Sequence, residues 1–219
     1  MPFTNRIEAG RELAAVLARY RNERVVVLAL PRGGVPVAKE VAVALGAPLD
    51  LVLVRKIGVP WQPELAMGAV VDGPTPLTVR NRDVILLAGV TESEFEAVRD
   101  RELEEIRRRR VQYIGKRPHP DLARRIVIIV DDGIATGATM RAALQAVRKQ
   151  KPARLVLAVP VAPTSSLSEL HGEADEIVCV EEHEAFGAIG DYYSDFSQVS
   201  DQEVQEILAL PATMPLVAR

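Results

Sequence analysis

Several short segments of this 219-residue chain are apolar almost throughout, without the alternation of a strand that has one face in water. The clearest are residues 24–30, RVVVLAL, and residues 126–130, IVIIV. A strand with no polar face is buried on both sides, as the strands of a parallel sheet are. Helical patterns separate these segments, so strands and helices alternate along the chain. We therefore predict an α/β fold in which helices cover both faces of a parallel sheet.

The same patterns place the individual elements. Five strands are predicted for the sheet, at residues 24–30, 49–54, 126–130, 155–159 and 177–180. Two further short strands are predicted at residues 66–71 and 77–79, around an Asp-Gly turn. Helices are predicted after a cap at Thr4 or Asn5, between Pro36 and Gly46, from Thr91 to about Tyr113, and over residues 140–150, 165–170 and the tail around Val204, Ile207 and Leu208. Residues 55–65 contain Gly, two Pro and no periodicity, which predicts a long loop.

Composition excludes several classes of protein. The chain has 27 basic and 30 acidic residues and a net charge of −3, which argues against a nucleic-acid partner. Its single cysteine, Cys179, excludes an internal disulfide and a cysteine-based zinc cluster. No apolar run approaches about 20 residues, and the beginning of the chain lacks the apolar centre of a signal peptide. We therefore expect a cytoplasmic protein that does not enter a membrane.

The most informative segment is residues 126–140, IVIIVDDGIATGATM, where a buried strand ends in two acids and a Gly/Thr-rich loop leads into a helix. Glycines let such a loop approach a ligand closely, and its free N–H groups, with those of the helix N-terminus, bind phosphate. Carboxylates repel phosphate, so Asp131 and Asp132 must face hydroxyl donors or a metal ion. No Gly-Lys-Ser/Thr closes the loop and no GxGxxG follows the first strand, which argues against P-loop and dinucleotide sites. The segment therefore predicts a site for a sugar phosphate.

Residues 127–139, VIIVDDGIATGAT, resemble the 5-phosphoribosyl 1-diphosphate (PRPP) binding motif of the type I phosphoribosyltransferases. The resemblance extends over most of the chain. It implies that the two acids bind the 2- and 3-hydroxyls of the ribose and that the following loop holds the 5-phosphate. The residues of this segment that would bind PRPP are Asp131, Asp132, Gly133, Ile134, Ala135, Thr136, Gly137, Ala138 and Thr139.

A second loop resembles the pyrophosphate loop of the same family, a short turn that often contains a cis peptide. It is the PRGG segment after the first strand, and it predicts that Arg32, Gly33 and Gly34 also bind PRPP. Arg32 would place its positive charge at the pyrophosphate leaving group.

The predicted loop at residues 55–65 begins with Arg-Lys and resembles the mobile catalytic loop of the family, which would close as a lid over the ligand. Lys56 and Mg²⁺ would add positive charge at the pyrophosphate. Trp61 is predicted either to make a contact as part of this lid or to pack in the core. Glu64 is our candidate for the general base. The predicted catalytic set is thus Arg32, Lys56, Glu64 and Asp131.

Residues 186–192, FGAIGDY, resemble a segment of the hypoxanthine-guanine enzymes in which an acid reaches the pyrophosphate-bound magnesium and a nearby aromatic ring stacks on the base. Phe186 and Tyr192 are therefore predicted to bind the base. The predicted magnesium ligands are Asp131, Asp132 and Asp191. His183 precedes this segment, and its contact with a substrate is left open.

The resemblance also implies a domain organisation. A type I phosphoribosyltransferase core would occupy residues 1–180, with a helical insertion at about residues 81–120. Residues 181–219 would form a small C-terminal hood and a helix, and would not be an independent domain.

The activity implied is Mg²⁺-dependent transfer of ribose 5-phosphate from PRPP to a nitrogenous base, with a purine favoured and pyrophosphate released, as in nucleotide salvage. The expected partners are PRPP, a nucleobase and pyrophosphate, and a homodimer is left open. Ala135 stands where the hypoxanthine-guanine enzymes have the acid that acts as general base, but adenine enzymes also have Ala there. The residues therefore leave the identity of the base open.

An alternative is a PRPP-binding regulatory protein that has lost transfer. Such a protein needs a surface for nucleic acid or a partner, and four consecutive arginines at residues 107–110 are the only candidate. Their helix also carries seven acids, several spaced for i,i+4 pairs with arginine, so a solvated or subunit-facing helix is the favoured interpretation.

Overall fold

The computed structural model describes residues 2–209. This part of the chain contains strands β1 (Val25–Ala29), β2 (Leu49–Leu51), β3 (Val54–Val59), β4 (Gln62–Val71), β5 (Leu77–Arg80), β6 (Ile126–Val130), β7 (Arg154–Pro163) and β8 (Glu176–His183). Its α-helices are α1 (Arg6–Val16), α2 (Gly34–Leu45), α3 (Arg82–Ala88), α4 (Glu92–Ile114), α5 (Ala138–Arg148), α6 (Thr164–Leu170) and α7 (Asp201–Ala209). Short 3-10 helices lie at Leu17–Tyr20 and Ile189–Tyr192.

Five strands form one parallel sheet in the order β2-β1-β6-β7-β8. Successive residues of β1 and β6 enter different apolar clusters, because side chains of a strand point alternately to its two faces. Val27 and Ile128 pack in a cluster with α1 and α2, whereas Val26 and Ile129 pack in a cluster with α5 and α6. Burial of both faces explains the uninterrupted apolar runs. The predicted α/β fold with a parallel sheet flanked by helices is confirmed.

The region predicted as a long loop, residues 55–65, is instead an antiparallel hairpin of β3 and β4. A third strand, β5, pairs with β4 and completes a second sheet. Pro60 and Trp61 form the tip, since Val59 pairs with Gln62. The register shifts at Gly58, where an added Cβ would lie 2.3 Å from the backbone oxygen of Pro63. The glycine and the prolines that suggested a loop thus belong to an irregular pair of strands whose backbones approach each other closely.

The predicted strand at residues 49–54 is also divided between the two sheets. β2 ends at Leu51, and β3 begins at Val54 in the second sheet. The link between them stays at the edge of the main sheet, because the amide of Val52 donates to the Ala29 oxygen over 3.0 Å. The second sheet therefore extends from the edge where β1 and β2 end.

Local capping signals located several helix ends. Asn5 caps α1 through its side chain, and Thr91 and Glu94 form a capping box at the predicted start of α4. Gly46 ends α2 in the left-handed region, with φ 63°. Helix α3 lies within the region predicted as a helical insertion, but its own bounds were not predicted.

The last described helix, α7, buries Val204 and Leu208, two of the three apolar residues predicted for its inner face. Residues 210–219 of the predicted C-terminal unit lie outside the described residues. The division of the chain at residue 180 stays a prediction, and β8 runs across it. Among residues 2–209, no helix combines the length and apolar character that a membrane crossing requires.

Candidate functional site

The carboxyl ends of the parallel strands bring the two predicted PRPP loops together. The amide of Leu30, after β1, donates to the Val130 oxygen at the end of β6 over 2.9 Å. The amide of Ile134 donates to the Val161 oxygen in β7 over 3.0 Å. Ligands of open parallel sheets bind at this edge. The topology therefore places residues 31–34 and 131–139 side by side, as one site requires.

Gly33 and Gly34 are the points of closest contact between these loops. A Cβ added to Gly33 would lie 2.0 Å from Oδ2 of Asp132, and one added to Gly34 would lie 2.8 Å from the Cα of Asp131. Any other residue would occupy space that the acids now fill. The peptide bond between Pro31 and Arg32 is cis. The loop thus presents backbone to the acid pair.

Asp131 and Asp132 differ in their electrostatic environment. Asp131 accepts a hydrogen bond from the Asp132 amide at 2.9 Å. Burial first, and the neighbouring Asp132 charge second, raise the pKa of Asp131 well above its ordinary value. Asp132 is buried, and its Oδ2 accepts a bond from Nε of Arg6 at 2.7 Å. The pair therefore combines one acid whose pKa is raised with one that is held by an arginine.

Arg6, at the start of α1, contacts the acid pair of the candidate site, and the sequence patterns did not indicate this contact. Its Nη1 donates to the Ser197 oxygen at 2.8 Å, and its guanidinium carbon lies 3.9 Å from the ring centroid of Phe196. Its partner Asp132 is 126 positions away. Local periodicity and capping signals cannot reveal a contact at that separation.

The loop after the acids ends at the N-terminus of α5. Gly137 has φ 72° and precedes the first helical residue, Ala138, without a side-chain cap. Thr136 and Thr139 are exposed, and neither hydroxyl has a protein partner among the described residues. The hydroxyl of Ser166 in α6 donates to the Ala135 oxygen at 2.6 Å, a support for the loop that was not predicted. Free N–H groups at a helix N-terminus, beside hydroxyl donors, suit a phosphate group.

The predicted base-binding segment lies against the same loop. Phe186 and Tyr192 stack with ring centroids 4.8 Å apart and an interplanar angle of 19°. The His183 ring lies 4.4 Å from the Tyr192 ring. An added Cβ on Gly133 would lie 2.6 Å from Ile189, which shows how closely this segment covers the loop. The aromatic group is therefore connected by direct packing to the strand-end site.

Lys56 and Glu64 lie apart from this group, on the β3–β4 hairpin. Nζ of Lys56 and Oε2 of Glu64 are 3.1 Å apart, and the Glu64 side chain is almost fully exposed. Among the described residues, neither side chain bonds to residues 31–34 or 131–139. Their catalytic roles stay predictions that require movement of the hairpin toward the acids.

Arg32 is held near α7. Its Nη1 lies 3.5 Å from Oδ1 of Asp201, and the same oxygen accepts the hydroxyl of Tyr113 at 2.6 Å. Both members of the Arg32–Asp201 pair are partly exposed, so an anion can displace this contact at little cost.

The two acids, Asp131 and Asp132, carry oxygens of the kind that a magnesium ion prefers. Oδ2 of Asp131 and Oδ1 of Asp132 accept no hydrogen bond from the described residues, and carboxylate oxygen is a preferred magnesium ligand. Asp191 is exposed, although its Oδ2 accepts the Ala188 amide at 2.8 Å. Within residues 2–209, no group of three or more His, Cys, Asp or Glu forms a ready-made metal site.

The arginine run of α4 is largely engaged within the chain. Arg108 and Arg109 pair with Glu105 at 2.7 Å and 2.6 Å. Arg110 is buried and pairs with Asp50 and Asp72. Only Arg107 of the four has no ion pair in the described part of the chain. Three of the four charges needed for a nucleic-acid surface are thus already neutralised.

A family model and two curated relatives both relate this chain to phosphoribosyl transferases. Residues 4–197 match the family model described as the phosphoribosyl transferase domain. Two proteins of Mycobacterium tuberculosis, from strains CDC 1551 and H37Rv, carry the provisional name phosphoribosyl transferase. Each is 47% identical over 206 residues, which are 94% of this chain and 46% of the relative. The chain thus spans about half the length of these curated relatives.

A solved structure extends the likeness to three dimensions. The crystal structure of TT1426 from Thermus thermophilus has a TM-score of 0.81 at 43% identity. The match covers 95% of this chain and 98% of that protein, so the two share their whole fold.

Proposed function

Because the chain belongs to the phosphoribosyltransferase family, a family of glycosyltransferase-type enzymes, we propose that it transfers ribose 5-phosphate from PRPP to a nitrogenous base. The family predicted from residues 127–139 is thereby confirmed. One structural observation supports PRPP as the substrate in this proposal. The acid pair, the Gly33–Gly34 backbone and the open N-terminus of α5 converge at one edge of the sheet. Hydroxyl acceptors beside an anion site fit a sugar phosphate.

The proposed division of labour follows from the chemistry of the groups. Asp131 and Asp132 accept hydrogen bonds from the ribose hydroxyls, and residues 134–139 donate N–H and hydroxyl groups to the 5-phosphate. Arg32 leaves Asp201 and pairs with the leaving pyrophosphate. The reaction needs no protein nucleophile, because a nitrogen of the incoming base bonds to C1 of the ribose as the bond from C1 to pyrophosphate breaks. The protein stabilises the charge that develops on the ribose and the leaving group.

Magnesium, when bound, would neutralise pyrophosphate charge in the transition state. Asp131, Asp132 and Asp191 remain the proposed ligands. Phe186 and Tyr192 would stack on the incoming base, with a purine as the favoured class. Glu64 remains the proposed general base, acting from the hairpin. Salvage of nucleotides in the cytoplasm is the corresponding setting.

Calorimetric titration of PRPP, with and without Mg²⁺, tests the proposed function. We expect saturable binding that Mg²⁺ strengthens, because the metal would be held by the carboxylates of the acid pair and would neutralise charge on the phosphate groups. Ribose 5-phosphate and pyrophosphate, titrated separately, should each bind more weakly than PRPP. Turnover with a panel of nucleobases then identifies the acceptor. Absence of PRPP binding in both conditions would refute the proposal, and binding without turnover would favour the regulatory alternative.

The hairpin provides a second test, because Trp61 is the only tryptophan and 58% of its surface is exposed at the tip. If the hairpin closes as a lid over the ligand, PRPP should change the fluorescence of Trp61 through its loss of water contact. The titration is followed at saturating PRPP with Mg²⁺, as judged by calorimetry. An unchanged spectrum at saturation would contradict closure, and a variant that cannot bind PRPP serves as the control.

A further inference from the structure

We propose that Arg6 is a positioning residue that fixes one oxygen of Asp132 and leaves the other for a ribose hydroxyl. The inference rests on the proposed function and adds to it a residue outside residues 31–34, residues 131–139 and the β3–β4 hairpin. Asp131 and Asp132 alone do not define the geometry of a hydroxyl site, because a free carboxylate rotates about its side-chain bonds.

The Arg6 side chain is itself fixed on three sides. Nε bonds to Oδ2 of Asp132 at 2.7 Å, and only 11% of either side chain is exposed. Nη1 bonds to the Ser197 oxygen at 2.8 Å. The guanidinium lies 3.9 Å from the Phe196 ring centroid, which adds a cation–π contact. The planar guanidinium group thereby transmits a defined orientation to the carboxylate.

Three separate segments meet at Asp132. Arg6 belongs to the first segment, the start of α1. Gly33 belongs to the second, the loop after β1, and its lack of a Cβ leaves room for Oδ2 of Asp132. The third segment contributes Tyr193, whose hydroxyl donates to the Asp132 backbone oxygen at 2.6 Å. Both the side chain and the backbone of Asp132 are therefore held. An arginine whose only role was to anchor α1 would not need to bond to Asp132, an acid of the proposed ligand site.

The test is calorimetric titration of PRPP with Mg²⁺, and of ribose 5-phosphate and pyrophosphate without it, on wild type, Arg6→Gln and Arg6→Lys. We expect Arg6→Gln to bind PRPP about tenfold more weakly, equal to the loss of about 1.4 kcal/mol. Ribose 5-phosphate should weaken by a similar factor, whereas pyrophosphate, which has no ribose hydroxyl, should bind as it does to wild type. Arg6→Lys keeps the charge but not the planar group, so it should bind the two ribose ligands with intermediate affinity.

Arg11→Gln is the matched control, because Arg11 lies on the same helix, is largely exposed and pairs with Glu40 away from the site. It should bind as wild type does. Circular dichroism and thermal unfolding establish that each variant is folded.

Unchanged affinity for PRPP in folded Arg6→Gln would overturn the positioning role while leaving PRPP binding intact. Equal weakening of all three ligands would also overturn it, because that result indicates a merely structural role. If Arg6→Gln does not fold, Arg6→Lys decides, since wild-type affinity for both ribose ligands in that variant would overturn the positioning role equally. Failure of the wild-type chain to bind PRPP is a different result, because it removes the proposed function itself.

Discussion

The double variant Asp131→Asn, Asp132→Asn is expected to bind PRPP at least about 100-fold more weakly than wild type. A carboxylate that accepts a bond from a ribose hydroxyl makes a charge-assisted bond, and an amide oxygen is a weaker acceptor. Two such losses at one site amount to about 3 kcal/mol or more. Titration calorimetry with Mg²⁺ measures the change.

The two single variants separate the effect on binding from an effect on stability. The pKa of Asp131 is raised above its ordinary value of 3.8 by burial and by Asp132. The folded state therefore binds the proton of Asp131 more tightly than the unfolded chain does. The associated stability is present below the unfolded pKa and is lost as pH rises through the folded pKa. At neutral pH, Asp131→Asn should leave the unfolding temperature unchanged or raise it.

Asp132→Asn has the opposite expected effect on stability. It removes the carboxylate that neutralises Arg6, whose side chain is nearly buried, and an uncompensated buried charge is destabilising. The unfolding temperature should fall. Asp83→Asn is the control, because Asp83 is exposed in α3 and makes no ion pair in the described part of the chain. Wild-type affinity in the double variant would mean that the acids do not bind the ribose.

The sequence predicted the parts of the site that are continuous along the chain. β6, the loop with Asp131 and Asp132, and α5 follow one another within about two dozen residues, so burial, turn and capping preferences all act locally. Gly33 and Gly34 were found by resemblance, and the structure adds the physical reason, which is the space taken by the acids. These contacts depend on the parallel topology, which the apolar strands already indicated.

Two kinds of feature were not accessible to local reasoning. Arg6 and Tyr193 reach Asp132 from the beginning and the end of the described chain, where no spacing rule applies. The β3–β4 hairpin was misjudged because Gly58, Pro60 and Pro63 usually interrupt strands. Here Pro60 occupies the turn, and the register shift at Gly58 absorbs the irregularity. Burial of Ile57 in β3 and of Met67 in β4 stabilises these strands, although the local sequence does not favour strands there.

Gly34→Ala is expected to destabilise the protein by about 2 to 3 kcal/mol, which lowers the unfolding temperature by roughly 5 to 10 °C. The added Cβ would lie 2.8 Å from both the Asp131 Cα and the Val130 oxygen. These are backbone atoms at the end of β6, so no side-chain rotation relieves the contact, and the two loops must separate. Separation moves the pyrophosphate loop away from the acids, and PRPP binding should weaken at least about tenfold with it.

The matched control is Gly172→Ala, where an added Cβ meets no atom within 4 Å. Neither glycine has a positive φ, so alanine is sterically allowed at both positions as far as the backbone is concerned. Alanine also restricts the unfolded chain, which favours the folded state slightly. Gly172→Ala should therefore unfold at or just above the wild-type temperature and bind PRPP normally. Equal behaviour of the two variants in thermal unfolding and calorimetry would show that the contact between residues 31–34 and the acid pair is not what holds the site together.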